Sequence, residues 1–122
     1  RMLAGFYRFI PKERNVLRAG GTLQMLAIVG RENFDTVDGQ EVGRELPVRW
    51  VDIRNPDPTA LWGEDNNVYA QGFTQGGARF SRLEGCWYGD RSVYFHATNG
   101  GDARLGGRGD LRNRRRAGDD VR

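Results

Sequence analysis

Glu84, Cys86 and His96 bring a carboxylate, a thiol and an imidazole into one short stretch of this 122-residue chain. Glu84 stands between Leu83 and Gly85. A carboxylate in such surroundings must face water or hold a partner such as Arg82, because an unpaired buried charge is expensive. Gly85 beside it fits either a bulge or the close approach of another backbone. Cys86 is the only cysteine, so no disulfide can form within the chain. As a thiol it could ligate a metal or act as a nucleophile, whereas a cysteine without ligand spacing usually serves as a small hydrophobe. His96, the only histidine, lies ten residues further on. A hairpin of suitable register would bring it to Cys86 as an activating base.

Other patterns are weaker. Gly100-Gly101-Asp102 and Gly106-Gly107 lack the Gly-Lys-Ser/Thr of a phosphate loop and read as turns. Arg108-Gly109-Asp110 matches an adhesion tripeptide inside an arginine-rich tail, where such matches arise by chance. Asp52, Asp57, Glu64 and Asp65 form an acidic stretch that reads most simply as a solvated loop. No Cys/His cluster has zinc spacing, and there is no Gly-x-Ser-x-Gly elbow.

The elements that must position these residues are mostly strands. Gly5–Ile10 is aromatic-rich and stops at Pro11. Leu23-Gln24-Met25-Leu26-Ala27-Ile28-Val29 follows Gly20-Gly21 and ends at Gly30, long enough for a strand and too short for a helix. Residues 31–45 are polar, with Asp38-Gly39 a turn signal. Leu46–Ile53 alternates with period two, Leu46, Val48 and Trp50 standing apart from Arg49, and ends at Asn55-Pro56-Asp57-Pro58. Val68, Tyr69, Gly72 and Phe73 can share a helical face, with Asn66 or Asn67 as its cap. Arg82–Tyr88 and Val93–Thr98, around the four-residue turn Gly89-Asp90-Arg91-Ser92, read as a hairpin. Strict alternation in its first strand sets Glu84, Cys86 and Tyr88 on one face and Leu83, Gly85 and Trp87 on the other.

The chain suits one domain. Apolar residues are 38% and charged residues 29%, which is polar for a self-sufficient globule. No stretch approaches the roughly 18 apolar residues of a membrane span. The opening Arg1–Phe6 has no apolar h-region, so no secretory signal is expected within this chain. The net charge is +3, but from Arg104 onward seven arginines face three aspartates, a balance of +4 that leaves −1 for residues 1–103. The basicity belongs to the tail, which carries no aromatic residue to stack on bases. Neither nucleic acid nor a membrane is expected as a partner.

Short strands, turns and one inserted helix indicate a mainly β fold of antiparallel sheets, as a sandwich, barrel or propeller. After Leu105 the pattern collapses: residues 106–122 hold only Leu111, Ala117 and Val121 as apolar side chains. Residues 107–122 are expected to be a disordered Arg/Gly-rich tail, or the product of a change of reading frame.

Two segments look familiar. Ala78-Arg79-Phe80-Ser81-Arg82-Leu83-Glu84-Gly85-Cys86-Trp87-Tyr88, running on through Val93-Tyr94-Phe95 to Asn99–Gly106, resembles the PhoX-type alkaline phosphatases. Leu26-Ala27-Ile28, Leu46–Ile53 and Asn55–Pro58 fit the same family in the right order. The likeness covers about residues 5–106, and Arg82–Tyr88 is its specific part. It implies roughly two blades of a β-propeller, residues 1–106, incomplete at both ends. It also implies twin-arginine export to the periplasm or beyond, and hydrolysis of phosphate monoesters at a calcium and iron cluster. By the same resemblance Glu84 matches an acidic position facing the metals, whose hardness suits carboxylate oxygens. The family's cysteine ligand belongs to an earlier motif that this sequence lacks, so Cys86 is not given that role.

The chain is therefore expected to be a fragment of a metal-dependent phosphatase, inactive alone. A non-catalytic propeller module for binding or scaffolding is the alternative, and a small arginine-tailed nucleic-acid binder a third. A fragment should expose apolar surface around Trp50, Trp87 and Phe95. Where the family resembled continues with Gln, a β-branched residue and Trp, this chain reads Gly107-Arg108-Gly109-Asp110. Sequencing the coding DNA tests the frame: another forward frame should restore those residues after Leu105-Gly106. If neither alternative frame stays open there, the tail is genuine.

Overall fold

The apolar run at residues 25–28 forms the heart of the fold. The computed structural model describes residues 3–59, 64–99 and 107–112, and is mainly β with one short helix. β1 (Tyr7–Pro11), β2 (Gly21–Ile28) and β3 (Val48–Asp52) make an antiparallel meander with β2 in the middle. Pro11 ends an edge strand, where a missing N–H costs little. Gly21 is required directly across from Pro11, since a Cβ there would overlap the Ile10 carbonyl oxygen.

From Met25 to Ile28 β2 is apolar without alternation because both of its faces are covered there. Met25 and Ala27 point to one side, packing with Val51, Ile53, Tyr7, Leu23, Val68 and Tyr69. Val68 and Tyr69 come from α1 (Val68–Phe73), whose cap is Asn67: its side-chain oxygen accepts the Ala70 N–H at 2.8 Å. Gly72 is buried on this helix, and a Cβ there would overlap the Met25 thioether. The glycine that weakens the helical pattern is thus what lets α1 lie directly on β2.

Leu26 and Ile28 point the other way, into a cluster with Ala78, Phe80 and Phe95. Residues 77–80 line this core by hydrogen-bonding to β2 and to the segment before β1: Ala78 N–H donates to the Leu26 carbonyl and Phe80 N–H to the Ala4 carbonyl, both at 2.8 Å. Phe95 arrives from a second meander, β4 (Leu83–Gly89), β5 (Ser92–Ala97) and β6 (Gly107–Arg112). Its ring lies 4.4 Å from that of Phe6 and 5.7 Å, edge-on, from that of Phe80. One aromatic knot therefore joins the two sheets.

The structure departs from the sequence reading in three places. The hairpin turn holds two residues, not four, because Gly89 and Ser92 already pair. Asp90 and Arg91 both have positive φ, 46° and 54°, a turn usually given to Asn and Gly. Gly107–Arg112 pair along the whole of β5, where an irregular tail was expected. Main-chain pairing does not require alternating side chains, so a Gly/Arg-rich segment can extend a sheet that already has its core. Residues 113–122 lie outside those described. Of the three expected exposed aromatics, only Trp87 is 46% exposed, while Phe95 is buried and Trp50 half-buried against the inter-sheet cluster.

The Tyr7 phenol is pushed up from 10.0 to about 12, first by burial and then by the charge of Tyr69. Folding thus holds the Tyr7 proton more tightly than the unfolded chain does. That stabilisation is complete below pH 10 and is lost as the pH rises towards about 12. Denaturant titrations across this range should show falling stability, with a shallower fall in Tyr7→Phe. Equal slopes would show that Tyr7 is not the group responsible.

Candidate functional site

Local backbone geometry decides where Glu84, Cys86 and His96 go. Arg82 enters β4 with a positive φ of 47°, and its carbonyl accepts the Thr98 N–H at 3.0 Å. Leu83 then pairs with Ala97, but the next paired residue is Cys86, opposite Phe95. Glu84 and Gly85 together face the single residue His96, which is a β-bulge. Gly85 suits it, because a Cβ there would already stand 3.0 Å from His96 Cε1.

The bulge corrects the alternation expected from sequence. Cys86 and Tyr88 stay in step with Phe95 and Val93, while Glu84 and Gly85 join the opposite face with His96. That outer face also carries Trp87, stacked on Tyr94 at 5.6 Å and 14°, with its ring 6.5 Å from that of His96. Glu84 and Cys86 therefore do not share a face. Cys86 is exposed and registered with Phe95 rather than His96, so the hairpin does not assemble a Cys–His pair.

Glu84 is exposed on the bulge, with its carboxylate open to solvent. The acidic stretch does not gather around it. Asp52 belongs to the first sheet, where its Oδ1 accepts from Gln24 Nε2 at 2.6 Å. Glu64 instead lines a polar cleft of about 400 Å³ with Asn55, Pro58, Thr59, Asn66 and Gln71. Gln71 braces that cleft by accepting the Asn55 N–H and donating to the Asn55 and Asn66 carbonyls, each at 2.9 Å. Among the described residues no three His, Cys, Asp or Glu side chains come together as a metal site, and no helix is long and apolar enough to cross a membrane.

Comparison with known proteins identifies the chain where its own geometry leaves the chemistry incomplete. The family model for alkaline phosphatase PhoX matches residues 1–121. The chain belongs to the PhoX alkaline phosphatase family. No curated protein and no solved structure matches it. The PhoX match takes in the resemblance carried by Arg82–Tyr88 and also the segment around β6. The resemblance singles out Glu84, and the bulge is one of the two readings that Gly85 offers. The effect of that bulge on the faces of β4, and a second arrangement on the first sheet, are not visible in the sequence. There Arg8 Nε donates to Gln24 Oε1 at 2.7 Å, continuing the chain of bonds to Asp52. Only strand register brings those three together.

The bulge makes a direct prediction. Gly85→Ala should push the His96 ring aside by a few tenths of an ångström, at less than the about 1–3 kcal/mol of overpacking in a closed core, because Gly85 is exposed and His96 half-buried. Gly89→Ala, where a Cβ meets no atom within 4 Å, should leave the ring in place. Imidazole NMR shifts and denaturation midpoints separate the two, and unchanged His96 resonances in Gly85→Ala would rule out the close approach.

Proposed function

We propose that this chain is part of a phosphate-monoester hydrolase of the alkaline phosphatase type, and that it supplies Glu84 to a metal centre completed elsewhere in the whole enzyme. The family match over residues 1–121 carries this reading. Two sheets built as meanders in chain order support roughly two blades of a propeller, although each has three strands among the described residues where a blade has four. The same reading places the whole enzyme in the periplasm or outside the cell.

The described residues do not by themselves fit a calcium and iron cluster. Glu84 offers one hard oxygen donor group, exposed and held on a bulge. Such metals need several converging ligands, and among the described residues no other carboxylate joins it in a group of three. The position suits a contributing ligand rather than a complete site. A bulge aims a side chain away from regular alternation, and here it carries Glu84 off the Phe95 face that closes the core.

The isolated chain should therefore hydrolyse no phosphate monoester, with or without added calcium and iron. In a full-length relative, Glu84→Gln at the matching position should lower metal content and turnover together. Full activity with unchanged metal content would remove Glu84 from the site. A full-length relative that holds no metal and cleaves no ester would leave the non-catalytic binding module as the reading.

A further inference from the structure

Arg8 is held by one hydrogen bond and one ring contact. It pairs with Gln24 across β1 and β2, and Gln24 pairs with Asp52 across β2 and β3. The side chains follow the backbone register: Arg8 Nε donates to Gln24 Oε1 at 2.7 Å, and Gln24 Nε2 donates to Asp52 Oδ1 at 2.6 Å. These two bonds fix the orientation of the Gln24 amide. The guanidinium carbon also lies 4.3 Å from the centre of the Trp50 ring. One edge and one face of the guanidinium are thereby committed.

The terminal nitrogens are not. Nη1 and Nη2 of Arg8 make no hydrogen bond or ion pair with any described residue. An arginine serving only to neutralise Asp52 would place its fork on that carboxylate. Here neutral Gln24 stands between them and takes only Nε, so the fork stays open at the exposed end of the face that holds Leu26 and Trp50. Two parallel N–H donors in this arrangement match two oxygens of a phosphate group. The rotamer freedom lost on binding a ligand is already restricted by Gln24 and Trp50. Burial lowers the Arg8 pKa and Asp52 opposes this, but a guanidinium remains charged at any working pH.

We infer that Arg8 is a docking group for the phosphate of a phosphorylated ligand, oriented by Gln24, Asp52 and Trp50. The ligand class rests on the phosphatase reading above, whereas the binding itself requires no turnover. The test is a titration of the ¹⁵N-labelled full chain with inorganic phosphate, against sodium chloride at matched ionic strength. The Arg8 Nε–H and Trp50 indole N–H resonances should move along one saturable curve with phosphate and not with chloride. Arg8→Lys keeps the charge but loses the fork, and should weaken binding roughly tenfold, the worth of one charge-assisted bond. Arg18→Lys should leave binding unchanged.

Absence of a saturable shift at Arg8 and Trp50 in the unaltered chain would overturn the proposal, even if the Arg8→Lys chain failed to fold. So would equal affinity in a folded Arg8→Lys chain, or binding seen only at other residues. Phosphate held at Arg8 in a chain whose full-length relative cleaves no ester would defeat the phosphatase reading and leave this inference standing.

Discussion

Burial of β2 on both faces is the constraint from which the rest follows. Met25 and Leu26 are the largest fully buried side chains, and they point in opposite directions. A strand apolar on both sides needs a cover on each side. α1 supplies one and the second sheet supplies the other. Close approach on the Met25 side depends on missing side chains. A Cβ on Gly72 or Gly77 would run into the Met25 thioether, and on Gly77 also into the Gly72 carbonyl at 2.8 Å. The glycines that make the composition look turn-rich are partly packing devices.

Much of this was legible because it is local. The apolar run of β2, the alternation of β3, the Asn67 cap of α1 and the β4–β5 hairpin each arise within a few neighbouring residues. What escaped were choices made between segments. Asp90 and Arg91 both adopt positive φ, which suits an aspartate but not an arginine, where glycine is the usual residue. The turn is set by the register of the flanking strands rather than by its own composition. β6 has no side-chain pattern to announce it and forms against an edge that β5 presents.

The candidate site divides the same way. Pattern alone made Glu84 an ordinary strand carboxylate, and family resemblance singled it out. Its placement depends on one extra residue between Leu83 and Cys86, which no count of alternating positions supplies. That extra residue also separates Glu84 from Cys86 and sets Cys86 against Phe95 rather than His96. The Arg8–Gln24–Asp52 chain was invisible for a simpler reason. Its members stand 16 and 28 residues apart, and only the pairing of three strands makes them neighbours.

Each of these groups sits one step from a core anchor. Trp50 packs against the inter-sheet cluster and carries the Arg8 guanidinium over its ring. Leu83 packs against the same cluster and immediately precedes Glu84. The side chains suited to charged ligands thus stand where packing gives out, on strands whose adjoining residues are fixed by it. An oxygen or nitrogen atom must be positioned to a fraction of an ångström to bind well, and exposed loops rarely achieve this. Here the rigidity comes from the aromatic knot of Phe6, Phe80 and Phe95 between the sheets. A substitution that loosened that knot would move Glu84 and Arg8 without touching either. The geometry of both candidate groups therefore depends on the same inter-sheet packing that closes over β2.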